Sequence, residues 1–253
     1  YRLICVKADL RRRCKLARDI STRPQVRRMT ANPQLARFGL FDARVPRYTS
    51  YPTAPHFSAA VGAEAHAAWL RSVPLTEPTS IYLHVPYCRE LCWYCGCTTH
   101  ALGREERAAR YAGLLLRELD IVAAHLPGRP TLSHLHWGGG TPSVLGPELF
   151  RIMGRLRERF AFQSDAELAI ELDPRDVDRD FVKELAVAGF TRASLGVQSF
   201  DPQVQRAINR EQSVAATRSA VTALRDAGIA AVNIDLLYGL PFQTTANAEA
   251  TAE

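Results

Sequence analysis

From about residue 79 onward the apolar positions keep two rhythms in alternation. Short β-rich runs of six to nine residues are followed by longer stretches in which Ala, Leu, Ile and Val recur at helical spacing. The runs are SIYLHV (80–85), TLSHLHW (131–137), ELAIEL (167–172), RASLGV (192–197) and AVNIDLLYG (231–239). Helical patterns occupy 104–125, 146–160, 176–188, 201–208 and 213–227, and another precedes the series at 59–72. Strands alternating with helices predict an α/β fold whose five strands run parallel. Five strands do not close a (β/α) barrel, so a partial barrel is expected, from a fragment or a truncated sequence. Residues 42–58, rich in Pro, Tyr and Thr, are too irregular for a helix and read as an ordered surface segment.

Polar or special residues recur just past these strands. A cysteine-rich loop follows the first, and Gly138-Gly139-Gly140-Thr141 follows the second. Glu171 ends the third, Gln198 the fourth, and Asp235 lies in the fifth. In (β/α) barrels the C-terminal strand ends build the active site. One such residue is unremarkable as a cap or surface group, but five in succession point to a site at the barrel mouth.

Composition changes the picture in two places. No apolar run approaches the ~20 residues of a membrane-spanning helix, and no signal peptide opens the chain, so a cytoplasmic protein with reduced thiols is expected. The net charge of +6 is unevenly placed: residues 1–28 carry ten Lys/Arg and two Asp/Glu, leaving 22 basic and 24 acidic side chains elsewhere. A basic arm could bind nucleic acid or an anionic membrane, but a slightly acidic remainder argues against a nucleic-acid-binding protein. The 1–28 segment is expected to lie outside the fold as sequence upstream of a start at Met29, which would leave Cys5 and Cys14 without a role. The remaining divisions are 29–75 as an amino-terminal segment and 76–253 as the core.

Four cysteines fall within ten residues, Cys88-x3-Cys92-x2-Cys95-x-Cys97. Disulfides suit neither the compartment nor so tight a loop. Structural zinc usually takes two separated knuckles, although His84 and His100 could complete a set. A redox dithiol would use one CxxC and leave Cys88 and Cys97 unexplained. Ferredoxin ligands follow a different spacing. Three thiols after the first strand of a βα barrel suit a four-iron four-sulfur cluster with one iron open to an external ligand.

The C-x3-C-x2-C pattern with Tyr94 before its third cysteine resembles the radical S-adenosylmethionine superfamily. Within it, PRYTSYPT (46–53), YLHVPYCRELCWYCGC (82–97), HWGGGTPS (136–143), INREQ (208–212) and NIDLLYGLP (233–241) resemble the oxygen-independent coproporphyrinogen III oxidase (dehydrogenase) family. The likeness runs over about 29–253, and the family's C-terminal portion is absent.

This resemblance implies a 4Fe–4S cluster on Cys88, Cys92 and Cys95 and one or two molecules of S-adenosyl-L-methionine. It implies cofactor contacts from Tyr82, Tyr94, Gly139, Gly140, Thr141, Glu171, Gln198, Arg210 and Asp235. Tyr94 would flank the adenine, Glu171 and Asp235 would hold the ammonium or ribose hydroxyls, and Gln198 would contact a ribose. The implied reaction converts two propionates of coproporphyrinogen III to vinyl groups through a 5′-deoxyadenosyl radical, giving protoporphyrinogen IX. It needs an electron donor for the cluster and an electron acceptor, and a monomer is expected. Arg47 is a candidate for a substrate carboxylate. The related haem chaperone keeps the three cysteines but lacks PRYTSYP and the fourth cysteine, both present here. An inactive fragment with a structural cluster is the remaining alternative.

Overall fold

A computed structural model describes residues 4–8, 37 and 53–253. Of the described residues, 4–8 and 68–253 belong to one compact unit and 37 and 53–67 to a second. In the second, the described residues hold a 3-10 turn, Ala54–His56, and the start of helix α1 (Ala63–Arg71).

The first unit is built on a six-stranded sheet. Its strands are β1 (Ile4–Ala8), β2 (Thr79–Val85), β5 (Thr131–Gly139), β6 (Ala161–Leu172), β7 (Arg192–Gln198) and β8 (Ala231–Leu236). They lie in the order β1-β2-β5-β6-β7-β8. The last five run parallel, each joined to the next by a helical crossover, as the alternating rhythm predicts. Two-residue strands β3 (Tyr87–Cys88) and β4 (His100–Ala101) pair at the two ends of the cysteine loop.

The five residues of β1 depart from the expectation that 1–28 stand outside the fold. They pair antiparallel with β2, Ile4 opposite Leu83 and Ala8 opposite Thr79, filling hydrogen-bonding positions that a bare edge would leave open. The rest of that segment, with Cys14, Met29, Arg47 and PRYTSYPT up to Pro52, lies outside the described residues. Strand β6 begins six residues before the ELAIEL run, because the polar QSD stretch carries no strand signal of its own yet continues from the pairing of Thr131 with Ala161.

Helices α2 (Glu105–His125), α3 (Pro147–Arg159), α4 (Arg179–Val187), α5 (Pro202–Ala207), α6 (Val214–Asp226) and α7 (Thr245–Ala252) follow in chain order. In α2, Ala108, Tyr111, Ala112, Leu115, Leu119 and Val122 repeat every three or four residues and make one buried stripe. Asp178 caps α4 by accepting from Asp180 N at 2.7 Å, and Ser213 caps α6 by accepting from Ala216 N at 3.0 Å.

Helices α2, α3, α4 and α6 share one apolar core with Ile81, Leu83, Leu135, Trp137, Ile170 and Leu195 from the strands. Strand side chains alternate between faces, so the intervening residues point the other way. Those are Tyr82, His84, His136, Glu171, Ser194 and Asp235, which are exposed or only half-buried. Covering one face and leaving a polar one is the arrangement expected of a partial barrel with a site inside it.

Leu119 is fully buried in this core, whereas Leu114 on the same helix is exposed. Leu119→Ala should lower unfolding free energy by about 2–5 kcal/mol, and Leu114→Ala by less than about 0.5 kcal/mol. Urea unfolding of both variants checks the assignment of faces.

Candidate functional site

At the C-terminal ends of the strands lies an open cleft of about 260 Å³. Cys88, Cys92 and Cys95 line it, with Cys97 beside them. So do Tyr94, Gly139, Gly140, Thr141, Glu171, Gln198, Arg210 and Asp235. Eleven of the twelve residues expected from the sequence therefore meet in one place. The twelfth, Tyr82, sits beside the cleft: its ring stacks on His136 at 5.7 Å, and His136 Nε2 donates to Glu171 Oε1 at 2.9 Å.

Each strand end is shaped for close approach. Gly140 N donates to Val85 O and Thr141 N to Tyr87 O, both at 2.7 Å, which fastens the glycine turn against the start of the cysteine loop. A Cβ on Gly140 would lie 2.5 Å from Tyr87 O, and one on Gly138 would lie 2.8 Å from Glu171 Oε1. Gly139 combines a φ of +117° with His84 ring atoms 2.7 Å from its would-be Cβ, so any side chain is excluded twice over. Gln198 follows a break in register at the end of β7 and has a φ of 71°. Such strain in a non-glycine residue concentrates at functional sites.

The carboxylates are oriented in advance. Glu171 Oε2 accepts from Gly139 N at 3.2 Å while its other oxygen faces His136. Asp235 accepts from Ser194 Oγ at 2.8 Å and from Asn233 Nδ2 at 2.7 Å. Behind them, Thr98 O can only accept, so His84 Nε2 donates to it at 3.1 Å, and His84 Nδ1 shares a hydrogen bond with the Tyr82 hydroxyl at 2.9 Å. Burial, then the charges of Glu171 and Cys97, push the Tyr82 phenol up to about 12, so it stays protonated at neutral pH.

The cysteine loop is docked by the segment after α5. Ile208 O accepts from Trp93 N at 3.0 Å, and Asn209 Nδ2 donates to Leu91 O at 2.8 Å. Arg210 Nη1 donates to Cys92 Sγ at 3.3 Å and pairs with Asp173 Oδ2 at 3.0 Å. Asp173 is almost fully buried and also receives Arg175, through Nη2 at 2.8 Å and Nε at 3.0 Å. Burial alone would raise the Asp173 carboxyl, but the two guanidiniums outweigh it and hold it below the usual carboxylate range.

The sequence reading missed Asp173, Arg175, His136, Ser194 and Gly196. His136 and Ser194 share strand parity with Tyr82 and Asp235, which was a usable signal. Arg175 and the packing of Gly196 against Arg210 had none.

The donor set fits an iron–sulfur cluster. Among the described residues, no three His, Cys, Asp or Glu side chains converge to hold a single ion. A mononuclear ion draws its ligands onto one centre, whereas a four-iron cube takes one thiolate per iron and needs sulfurs set apart around a larger volume. Cys88, Cys92 and Cys95 border one cleft. Burial, then the neighbouring cysteines' charge, pushes the Cys88 thiol up despite a hydrogen bond from Thr141 Oγ1, so cationic iron is the partner that would favour its thiolate.

Comparison with known proteins agrees with this geometry. Residues 82–253 match the radical SAM superfamily. The chain belongs to that superfamily. The oxygen-independent coproporphyrinogen III oxidase of Paracoccus denitrificans is 49% identical to this radical SAM chain over 216 residues, 85% of the chain and 48% of the relative. The enzyme of that name from Bradyrhizobium diazoefficiens is 50% identical over 207 residues, 81% of the chain and 46% of the relative. Coproporphyrinogen III oxidase from Escherichia coli, a solved radical SAM enzyme, superposes with a TM-score of 0.76 at 37% identity, covering 85% of this chain and 48% of that one. The chain spans about half the length of the curated relatives it matches. Among the described residues no helix is long and apolar enough to cross a membrane.

The glycine turn offers a two-sided test. Gly140→Ala forces a Cβ against backbone and should cost about 1–3 kcal/mol of unfolding free energy. Gly154→Ala, on an exposed helical position with nothing near its Cβ, should instead add up to about 1 kcal/mol. Paired denaturation curves with shifts of the same sign would contradict the placement of Gly140.

Proposed function

We propose that this chain carries the radical SAM core of an oxygen-independent coproporphyrinogen III oxidase. The reading rests on one observation above the rest: three thiols, a side-chain-free strand end and a ring of oriented polar groups share a single cleft. Cys88, Cys92 and Cys95 would hold a four-iron four-sulfur cluster, and the cleft beside them would hold S-adenosylmethionine. When bound, these groups supply one-electron chemistry that removes a hydrogen with no acidity, as the β-hydrogen of a propionate requires.

The chain's own residues bind and orient. Glu171, fixed by His136 and Gly139 N, offers its carboxylate to the cofactor's ammonium. Asp235, held by Ser194 and Asn233, is set to accept from ribose hydroxyls, and Gln198 presents its amide beside it. Tyr94 supplies an aromatic wall against which the adenine would pack. Gly139 and Gly140 leave room where any side chain would obstruct. Two propionates of the substrate would become vinyl groups with loss of carbon dioxide, an outside donor reducing the cluster and an acceptor taking the remaining electron. A single chain contains all of these groups, so a monomer suffices.

Anaerobic incubation with S-adenosylmethionine, a strong reductant and coproporphyrinogen III should yield 5′-deoxyadenosine together with decarboxylated porphyrinogen. Formation of 5′-deoxyadenosine while the porphyrinogen stays intact would contradict the substrate but keep the superfamily chemistry. Glu171→Gln preserves size while removing the charge. A charge-assisted contact contributes about 1.5–3 kcal/mol where a neutral one gives about 1, so S-adenosylmethionine should bind roughly tenfold more weakly. Equal affinities in a spectroscopic titration would remove Glu171 from the site.

A further inference from the structure

Arg210 has the type and position of an anion clamp, yet the chain already occupies most of its donors. Its Nε donates to Gly196 O at 3.2 Å, and Nη2 donates to the same carbonyl. Its Nη1 divides between the Asp173 carboxylate at 3.0 Å and Cys92 Sγ at 3.3 Å. With five N–H groups in a rigid plane, four are spoken for. Asp173 is itself immobile, since it also accepts from Arg175 N, Nε and Nη2. The ion pair is nearly dry, with Arg210 and Asp173 side chains 9% and 8% exposed. Gly196 completes the seat, because a Cβ there would stand 3.1 Å from Arg210 Nη2.

A buried pair of this kind is a poor device for stability alone, as an apolar replacement often serves as well. Its distinctive product here is one N–H aimed at a cysteine sulfur. We propose that Asp173 positions Arg210 so that its guanidinium donates to the Cys92 sulfur and thereby raises the reduction potential of the cluster held there. This inference rests on the reading that Cys92 is a cluster ligand. Hydrogen bonds to thiolate sulfurs are among the factors that set iron–sulfur potentials. Reduction adds negative charge to the iron–sulfur unit, so a donor on its thiolate favours the reduced form and eases the arrival of the electron. Arg210 is a positioning residue for the electron, and Asp173 acts through it.

The test is an EPR-monitored reductive titration of the full chain after anaerobic cluster reconstitution. Arg210→Gln removes the charge and the guanidinium fork and shortens the side chain, and Arg210→Lys keeps the charge but loses the planar fork. Gly196→Ala alters no charge and presses on the guanidinium. All three should retain iron and sulfide while their midpoints move to more negative values. The movement in Gly196→Ala is the telling one, because a purely long-range charge effect would leave it unmoved. If Arg210→Gln fails to hold a cluster, the lysine and alanine variants still carry the measurement. Full cluster content with unshifted midpoints in those two overturns the proposal.

Asp173→Asn provides the second arm, measured in the wild-type and in the Arg210→Gln background. If Asp173 works by placing Arg210, its effect on the midpoint differs between the two. Equal shifts in both backgrounds would make it a bare charge and overturn its positioning role. Wild-type chain that takes up no cluster at all would overturn the cofactor reading itself, an outcome distinguishable because no variant is involved.

Discussion

Among the described residues, helices cover one face of the five parallel strands, and the two-residue period of a strand therefore decides where the side chains these strands bring to the site can be. Leu83, Leu135, Trp137, Ile170 and Leu195 go to the covered side and make the core. Their neighbours in sequence, among them Tyr82, His84, His136, Glu171 and Ser194, are turned to the other. A slip of one residue in any pairing would exchange the two sets, burying a carboxylate and exposing a leucine. The packing of the core thus fixes the register, and the register fixes the spacing of the polar groups. Glu171 lies opposite Ser194, and Ser194 opposite Asn233, because the apolar residues between them pair in step.

The thiols obey a different constraint. The loop from Cys88 to Cys97 has almost no regular structure, apart from the two-residue pairing at its ends. It takes its position from outside: Val85 and Tyr87 fasten the glycine turn beneath it, and Ile208, Asn209 and Arg210 hold its crest. That explains why a stretch more than a hundred residues away in sequence belongs to the same site. Asn209 adopts a φ of 53° directly after α5, which carries the chain from the helix end to the loop it braces.

Much of this was legible in the sequence. Strand and helix order followed from the change between a period of two and a period of 3.6, and the cysteine loop, the glycine turn, Glu171, Gln198 and Asp235 from their recurrence at strand ends, whereas Tyr82, Tyr94 and Arg210 came only from the family resemblance. His136 and Ser194 could have been found by extending strand parity from Tyr82 and Asp235. Asp173 could not, because ELDP reads as a strand end followed by a turn, and only the fold shows two guanidiniums closing on that carboxylate. The early part of β6 was equally hidden, since Gln163, Ser164 and Asp165 gain strand geometry from the sheet rather than from propensity. Strand β1 was missed for a related reason: charge bias in residues 1–28 outweighed the apolar alternation of ICVKA.

The central claim is that the loop after the first parallel strand gathers three particular thiols to hold one cluster. Iron and acid-labile sulfide content after anaerobic reconstitution tests it most directly, in the wild type and in single alanine variants of the four loop cysteines. About four iron and four sulfide per wild-type chain are expected, with loss of the four-iron species in Cys88→Ala, Cys92→Ala and Cys95→Ala and its retention in Cys97→Ala. Stoichiometric zinc without visible absorption, or a cluster that survives loss of Cys88, Cys92 or Cys95, would contradict the account.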